Sequence, residues 1–259
     1  DREGKFIDNL GELSGRYVKN YKDASDYKEV DVDIAIDLKT KGQAFKVEKY
    51  AHTYPHCWRT DKPILYYPLD AWFIRTTAVK DRMIELNKTI NWKPKSTGEG
   101  RFGNWLENMV DWNLSRSRYW GTPLPVWMND DGSEMKCIGS VAELTAEINN
   151  ANEKLGLQQV VNESNLDLHK PFVDGITLAD SNGKPMRREP DLIDVWFDSG
   201  AMPYAQQHYP FENQDQIESN KAFPADFIAE GVDQTRGWFY TMHALGVMLF
   251  DSIAYKTVI

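Results

Sequence analysis

The segment 227–239 places acidic, amide and glycine residues where a short apolar strand gives way to a helix. Ligands of open α/β sheets bind outside the carboxyl ends of the strands, so this pattern predicts a ligand site. Gly231 permits close backbone approach, and Asp233 and Gln234 can bond hydroxyl groups. Glu230 can hold an ammonium group by a charge-assisted hydrogen bond. The competing interpretation is that Asp233 only caps the helix and Glu230 is a solvated turn residue.

Two tryptophans can form the apolar part of the same site. Trp238 lies at the start of the predicted helix, and Trp196 lies in the segment 193–197, which reads as an apolar strand before an Asp-Ser-Gly turn. Facing one another, they would enclose a small aliphatic side chain, because apolar burial contributes about 25 cal/mol per Å². The competing interpretation is that both are ordinary core residues, as most of the 9 tryptophans of the chain are expected to be.

Arg116 and Arg118 form a third candidate group, since two arginines among aromatic residues can contact phosphate. The more ordinary interpretation places them at the end of a helix over residues 104–114, where cations complement the helix dipole. Gly121 would then be the C-cap of that helix.

The sequence does not predict a metal centre. Structural zinc usually needs paired ligands such as Cys-x-x-Cys. The candidate residues His52, His56, Cys57 and Cys137 lack that spacing. A glycine-rich phosphate loop of the G-x-x-x-x-G-K type is also absent from the sequence.

The elements that would position these residues alternate between strands and helices, which favours an α/β fold with a parallel sheet. Alternating apolar and acidic residues predict an extended ribbon over 30–36, and the segment 64–67 reads as a buried strand. The remaining expected elements are helices over 78–86, 141–155 and 234–250, strands at 124–127, 227–229 and 257, and a turn over 180–185.

Composition is that of an ordinary globular chain, with 259 residues, 41% hydrophobic and 27% charged. No apolar run approaches the length of a membrane span, and no signal peptide is visible. Two cysteines make no disulfide framework, so we expect a reducing, cytoplasmic environment. The net charge of −9 argues against a general nucleic-acid binder but allows a local basic contact.

Five segments, in order, resemble the isoleucyl-tRNA synthetases, a family of class I aminoacyl-tRNA synthetases. They cover most of residues 45–259 and read YPHCWRTDKPILYY, WFIRTT, GRFGNWLENMVDWNLSRSRYWGTPLPVW, DVWFDSG and FIAEGVDQTRGWF. The stretches DWNLSRSRYWGTPLP and EGVDQTRGWF resemble the isoleucine branch more than the valine or leucine branches.

The resemblance implies an enzyme that joins isoleucine to ATP, with Mg²⁺, as an adenylate and then transfers it to tRNA(Ile). It implies that Glu230, Gly231, Asp233 and Gln234 bind the aminoacyl-adenylate. It also implies that Trp196 and Trp238 flank the isoleucine side chain.

Three family features are missing. The HIGH and KMSKS signatures and the acidic editing motif are absent, and Thr60 breaks the Cys-x-x-Cys that some relatives carry, so zinc is not expected. Together with the lack of an initiator Met, this predicts an internal fragment that is inactive alone and prone to self-association through an unpaired sheet edge. No catalytic set is complete within it.

The expected parts of this fragment follow the family's order. They are an editing-insertion stub with a β-ribbon (1–53), a catalytic segment with a helical insertion (54–127), a small α+β insertion (128–186) and the second half of a Rossmann-like catalytic fold (187–259).

Three alternatives remain open at this point. The nearest is a valyl- or leucyl-tRNA synthetase. Pocket volume would distinguish these enzymes, because isoleucine and valine differ by one methylene group. A non-catalytic, tryptophan-rich binding module would instead expose its tryptophans in a row. An unrelated nucleotide-binding enzyme would need a complete phosphate site.

Overall fold

The computed structural model describes residue 1, residues 3–160, residue 164 and residues 166–259. These residues divide into two units, Asp1–Asp70 and Ala71–Ile259. No helix in the described ranges is both long enough and apolar enough to cross a lipid bilayer.

The described residues of the first unit contain one α-helix, α1 (Val30–Thr40). The prediction of a ribbon over 30–36 is therefore wrong. Asp31 and Asp33 lie in the first turn of α1, where the helix dipole favours negative charge. They also form ion pairs with Lys19 and Arg16, respectively, which a pattern of apolar and polar residues cannot reveal.

Elsewhere the first unit is mostly irregular. Its β-pairing within the described residues is limited to single bridges, Lys5 to Tyr17 and His56 to Pro63, so an extended β-ribbon is not formed. The segment 64–67, expected as a buried strand, is irregular and exposed. Prolines at 63 and 68 flank it and remove backbone donors that strand pairing needs.

The second unit is a mixture of helices and short strands. Its α-helices are α2 (Lys80–Asn87), α3 (Gly103–Glu107), α4 (Val141–Leu155), α5 (Val195–Ala205), α6 (Gln214–Glu218) and α7 (Trp238–Phe250). Its strands are β1 (Phe73–Ile74), β2 (Asn91–Trp92), β3 (Trp112–Asn113), β4 (Ser115–Arg116), β5 (Val126–Asn129), β6 (Met135–Cys137), β7 (Thr177–Ala179), β8 (Pro185–Arg188), β9 (Leu192–Ile193), β10 (Ala225–Ile228) and β11 (Tyr255–Val258).

A parallel sheet organises the part of this unit that holds the acidic turn. Its order is β10-β11-β2, with Phe227 opposite Thr257 and Thr257 opposite Asn91. The predicted parallel sheet, with helices packed on it, is confirmed. α7 is the central helix of its core, and nine of its residues are buried.

The core beneath the sheet is aromatic. The Trp92 ring lies within 6.3 Å of the rings of Phe102, Phe239 and Tyr255, measured between centroids. Gly98 is required there, because a Cβ at that position would lie 2.2 Å from the Trp92 ring. Gly98 is therefore needed for close packing against Trp92 and not for a special backbone conformation.

A separate antiparallel sheet, in the order β6-β5-β8-β7, carries α4 and has a hydrophobic core of its own around Trp127. The helix α4 was predicted correctly to the residue. Ser140 caps it by accepting the Glu143 N–H at 3.1 Å, and Gly156 ends it with φ of +67°.

Two predicted elements near the candidate site are wrong. The helix expected over 104–114 ends at Glu107, and Trp112 begins a strand instead, so Gly121 caps no helix. The strand expected over 193–197 ends at Ile193, and α5 begins at Val195. In both places the type of element changes within a short apolar segment, so neither a period of two nor a period of 3.6 describes the whole segment.

Candidate functional site

The acidic turn lies at the carboxyl edge of the parallel sheet. Glu230 follows β10, and its backbone N–H donates to the Ile259 carbonyl at 3.2 Å, beyond the end of β11. The Ile259 N–H donates to the Ile228 carbonyl at 3.1 Å. Glu230, Gly231 and Asp233 are exposed. The edge at which the sequence predicts a ligand is thus accessible and carries two carboxylates.

Gln234 connects this turn to α7. Its Oε1 accepts the Trp238 backbone N–H at 2.9 Å, and its Nε2 donates to Asp233 Oδ2 at 3.2 Å. Gly237 is the N-cap residue of α7, and the side chain that accepts its first N–H is that of Gln234, so the interpretation of Asp233 as the cap is wrong. A Cβ at Gly231 would lie 2.5 Å from Asp233 Oδ1, so the glycine lets this carboxylate fold over the backbone.

Sequence reasoning missed Arg101, which fixes the same turn from a distance. The Thr235 hydroxyl is fully buried; it donates to the Val232 carbonyl at 2.7 Å and accepts from Arg101 Nε at 2.9 Å. Arg101 and Thr235 are 134 residues apart. No local spacing could have linked them.

Trp196 lies in the first turn of α5, where Asp194 caps the helix by accepting the Trp196 N–H at 3.3 Å. The residue is 41% exposed. The outer edge of its ring faces Gly237, because a Cβ built there would lie 3.3 Å from Trp196 Cη2. Gly237 in turn donates its N–H to the Gln234 carbonyl at 3.0 Å. Trp196 is thereby linked to the acidic turn through one glycine.

Trp238 is held by the same helix. Its Nε1–H donates to the Ser199 carbonyl on α5 at 2.8 Å. The two helices approach closely at Gly200, where a Cβ would lie 3.0 Å from Thr241 on α7. The structure therefore brings both predicted pocket tryptophans to one helix crossing, next to the predicted adenylate-binding turn.

The two arginines of the sequence pattern have different environments. Arg116 lies on β4, and its guanidinium donates to Asp194 Oδ2 at 2.8 Å and to the Asn113 and Ser115 carbonyls. Arg118 is exposed, and its side chain makes no hydrogen bond or ion pair with the described residues. The helix-terminus interpretation is wrong for both, since no helix precedes them directly.

Arg118 lines a groove of about 710 Å³. The groove contains three further basic residues, Arg116, His169 and Lys170, and the exposed rings of Tyr119 and Trp120. Lys170 Nζ donates to the Pro190 carbonyl at 2.7 Å and lies 6.0 Å from the Tyr119 ring centroid. A cationic groove with an 83% exposed indole, that of Trp120, is suited to nucleotide phosphates and bases.

One carboxylate in this groove has a shifted pKa. Burial raises the pKa of Asp198 above its ordinary value, and the nearby charge of Asp194 adds to the rise. The Thr122 hydroxyl, which donates to Asp198 at 2.9 Å, acts in the opposite direction.

A second cavity, of about 640 Å³, is lined mainly by apolar residues, among them Trp127, Leu144 and Phe211. Its arginine, Arg188, is already bonded to Asp174 at 2.8 Å through Nε. Ligand sites usually combine an apolar wall with a few unpaired polar groups that orient the ligand. This cavity is a weaker candidate than the edge of the parallel sheet.

No group of three His, Cys, Asp or Glu side chains in the described part of the chain is arranged to hold a metal ion. Hydrogen bonds from the Thr60 hydroxyl and from the backbone of residues 59 and 60 lower the pKa of Cys57. Thr60 thus takes the position at which the pattern would place a second cysteine.

Most of the tryptophans are not exposed. Trp58, Trp120 and Trp196 are exposed, whereas the other six are buried or half-buried. Trp127 is 1% exposed. This distribution disfavours the tryptophan-rich binding module.

Comparison with known protein sequences assigns the chain to a family. The family model described as tRNA synthetases class I (I, L, M and V) matches residues 11–259. The chain is similar to isoleucine–tRNA ligases of Cytophaga hutchinsonii (61% identity over 100% of the chain), Bacteroides fragilis (62% over 98%) and Thermus thermophilus (50% over 100%).

The chain spans only about a quarter of the length of these relatives, 24%, 24% and 23% respectively. Among solved structures, it matches an Agrobacterium radiobacter K84 LeuRS in a ternary complex with tRNA and LeuAMS. That match has a TM-score of 0.39 and 18% identity over 58% of this chain and 19% of the other, which is too low to support an argument. The family match over nearly the whole sequence is decisive: the chain belongs to the class I tRNA synthetases of the isoleucine, leucine, methionine and valine group.

Proposed function

We propose that this chain is part of an isoleucine–tRNA ligase and forms one side of its site for isoleucyl-adenylate. The observation that carries the proposal is the convergence of Trp196 and Trp238 beside the turn of Glu230–Gln234. The high identity to isoleucine–tRNA ligases supports isoleucine over valine or leucine as the substrate.

Each residue of the site has a role that matches its chemistry. Glu230 is exposed beyond β10 and binds the ammonium group of isoleucine. Gly231 and Asp233 approach the ribose, and Gln234 holds Asp233 and α7 in place while facing the adenosine side. Trp196 and Trp238 enclose the aliphatic side chain.

The reaction proceeds in two steps. A carboxylate oxygen of isoleucine forms a bond to the α-phosphorus of ATP, and the bond from that phosphorus to the oxygen bridging the β-phosphate breaks, releasing pyrophosphate. A ribose hydroxyl of tRNA(Ile) then attacks the acyl carbon, and AMP leaves. The bare backbone at Gly231 fits a nucleotide, and Mg²⁺ would accompany the ATP phosphates. This chain's residues bind and orient the adenylate.

We propose an assignment of the parts of the chain that follows the order expected of such a ligase. We assign residues 1–53 to the end of the editing insertion, 54–127 and 187–259 to the catalytic fold, and 128–186 to a small insertion. Strands β10 and β11 of the parallel sheet then belong to the second half of the Rossmann-like fold, and β2 belongs to the 54–127 segment. We place the ligase in the cytoplasm.

The 259-residue chain alone should not form adenylate, because its sequence contains neither the HIGH nor the KMSKS signature. It also presents exposed apolar residues at and beyond the edge strand β10, Phe227 at 53% and Val232 at 54%. We therefore expect it to self-associate. Light scattering across a concentration series measures this, and a monomer at every concentration would contradict it.

Arg118 is the better of the two arginines for a contact with tRNA phosphate, because its guanidinium is exposed and unpaired within the described chain. Replacement by Met should raise the KM for tRNA(Ile) in aminoacylation. It should leave isoleucine activation without tRNA unchanged.

ATP–pyrophosphate exchange tests the main proposal. The full-length protein that carries this chain should exchange with isoleucine, more weakly with valine, and not with leucine. Discrimination of one methylene is worth about 1–3 kcal/mol, so valine should be about 10–200-fold poorer. Equal or better exchange with valine or leucine would assign the chain to another branch of the family.

A further inference from the structure

Asp194 is a buried carboxylate on which three elements converge. Its side chain is 5% exposed. Oδ2 accepts from Arg116 of β4 at 2.8 Å and from the Trp112 indole of β3 at 3.0 Å. Oδ1 accepts the Trp196 N–H at the start of α5. One charge thus connects two strands to the helix that carries a pocket tryptophan.

This network is rigid because its members have few alternatives. Arg116 also donates to the Asn113 and Ser115 carbonyls, so its guanidinium is fixed to the backbone of β3 and β4. Trp112 is 8% exposed and packs against Phe197 in the first turn of α5. Removing one partner of a buried charged pair leaves the other charge uncompensated, and the helix start must move to solvate it.

Displacement of the start of α5 would reach both walls of the proposed pocket. Trp196 lies in the first turn of the helix, two residues after Asp194, and its ring faces Gly237. Trp238 is bonded to the Ser199 carbonyl on the same helix. The spacing of the two indoles therefore depends on the position of α5.

We propose that Arg116, acting through Asp194, is a positioning residue that sets the width of the isoleucine pocket. This inference rests on the proposed function. It assigns Arg116 to amino-acid recognition and, of the two arginines, leaves the phosphate contact to Arg118. Because the Arg116 guanidinium is bonded to Asp194 and to the Asn113 and Ser115 carbonyls, its effect passes through the cap of α5.

The kinetic test uses the full-length protein and ATP–pyrophosphate exchange without tRNA. Arg116→Met should raise the KM for isoleucine about ten-fold, with kcat nearly unchanged, and should reduce the preference for isoleucine over valine. Asp194→Asn keeps one acceptor oxygen and leaves Arg116, whose side chain is 39% exposed, to be solvated by water, so it should have a smaller effect of the same kind. The double variant should resemble Asp194→Asn alone, because neither contains a buried carboxylate without a counter-charge.

Arg187→Met is the matched control. Arg187 is exposed on β8, and its side chain makes no hydrogen bond or ion pair with described residues, so its removal should change neither constant. An Arg116→Met enzyme with an unchanged isoleucine KM and selectivity, or with a higher KM for tRNA only, would overturn the proposal. Additive effects in the double variant would overturn it as well.

A structural readout on the 259-residue chain separates this inference from the proposed function. In the NMR spectrum, the indole N–H signals of Trp112 and Trp196 should shift in Arg116→Met and stay in place in Arg187→Met. Unmoved Trp196 signals would refute the positioning role. If these signals shift as expected but the wild-type full-length protein does not activate isoleucine, the proposed function fails and the Arg116–Asp194–Trp196 linkage stands.

Discussion

Trp127 in the antiparallel sheet and Trp196 beside the parallel sheet have opposite environments. Trp127 is 1% exposed, and its Nε1–H donates to the Ile176 carbonyl at 3.0 Å. Trp196 is 41% exposed, and its indole nitrogen makes no hydrogen bond to the described residues. The ring of Trp127 is therefore enclosed and hydrogen-bonded within the fold, whereas the ring of Trp196 remains accessible to a ligand.

The polar groups of the two regions differ in the same way. In the antiparallel region, Arg188 is paired with Asp174, and Asp180 accepts the N–H groups of residues 182 and 184 in its own turn. At the parallel edge, Glu230 is exposed, and no ion pair joins it to the described residues. Satisfied polar groups stabilise a fold, whereas exposed ones at a strand edge can serve a ligand.

The largest expected effect is on the tryptophan that the fold encloses. Trp127→Ala should lower the free energy of unfolding by about 3–5 kcal/mol, because it removes a fully buried aromatic ring from the core of the antiparallel sheet. Trp196→Ala should change stability by less than about 1 kcal/mol. Urea unfolding of both variants measures this. Equal losses of unfolding free energy in the two variants would contradict the distinction between an enclosed Trp127 and an accessible Trp196.

The next effect concerns pH, and it belongs to the parallel region. His243 is fully buried on α7, and its Nε2–H donates to the Met83 carbonyl at 2.9 Å. Burial lowers the pKa of His243 from 6.5 to about 4, so the folded state holds the neutral ring. His243 binds a proton more readily in the unfolded chain than in the folded one. The free energy of unfolding therefore decreases as the pH falls from 6.5 towards 4.

The slope due to His243 should approach about 1.4 kcal/mol per pH unit within that window. His243→Leu removes this titration, so the difference in unfolding free energy between wild type and variant should change with pH below 6.5 and be constant above it. Urea titrations at several pH values measure the difference. Parallel pH profiles for the two proteins would contradict the prediction.

A smaller effect is expected at the crossing of α5 and α7. Gly200→Ala places a methyl group 3.0 Å from Thr241 atoms and should cost about 1–3 kcal/mol. A Cβ added to Gly175 in the antiparallel region would meet no atom within 4 Å, so Gly175→Ala should cost almost nothing. Thermal unfolding compares them. A tolerated Gly200→Ala would show that the helices are not in tight contact.

The smallest effect is expected from an ion pair on the antiparallel region. Lys136 Nζ lies 2.6 Å from Glu147 Oε2, and both side chains are partly exposed. Glu147→Gln should reduce stability by at most about 1 kcal/mol, and less in high salt. A loss above about 2 kcal/mol in thermal unfolding would mean that this pair matters as much as buried contacts do.

The sequence correctly predicted the elements whose ends are marked by nearby capping or turn residues. The helix α4 has a capping serine and a terminal glycine, and the turn over 180–185 has its Asp-Ser-Asn-Gly sequence, so both were located correctly. Elements defined by distant partners were not. The helix α1 is stabilised by ion pairs to Arg16 and Lys19, and alternation of residue type gave the opposite result.

The site shows the same division. The position of the turn of Glu230–Gln234 at the carboxyl edge of a sheet followed from the sequence. The roles of Arg101, Trp112 and Asp194 could not be foreseen, because each acts on a residue far along the chain, 134 residues for Arg101 and 82 for Trp112. Their donors and acceptors meet only after the core has formed.

The most direct test measures the affinity of the full-length protein for non-hydrolysable isoleucyl- and valyl-adenylate analogues, with Trp196 and with Trp196→Ala. The wild-type protein should bind the isoleucyl analogue more tightly by about 10–200-fold, and the variant should lose most of that preference. Isothermal titration calorimetry gives all four dissociation constants. An undiminished preference in Trp196→Ala would contradict the account, because the exposed ring would then have no part in holding the aliphatic side chain.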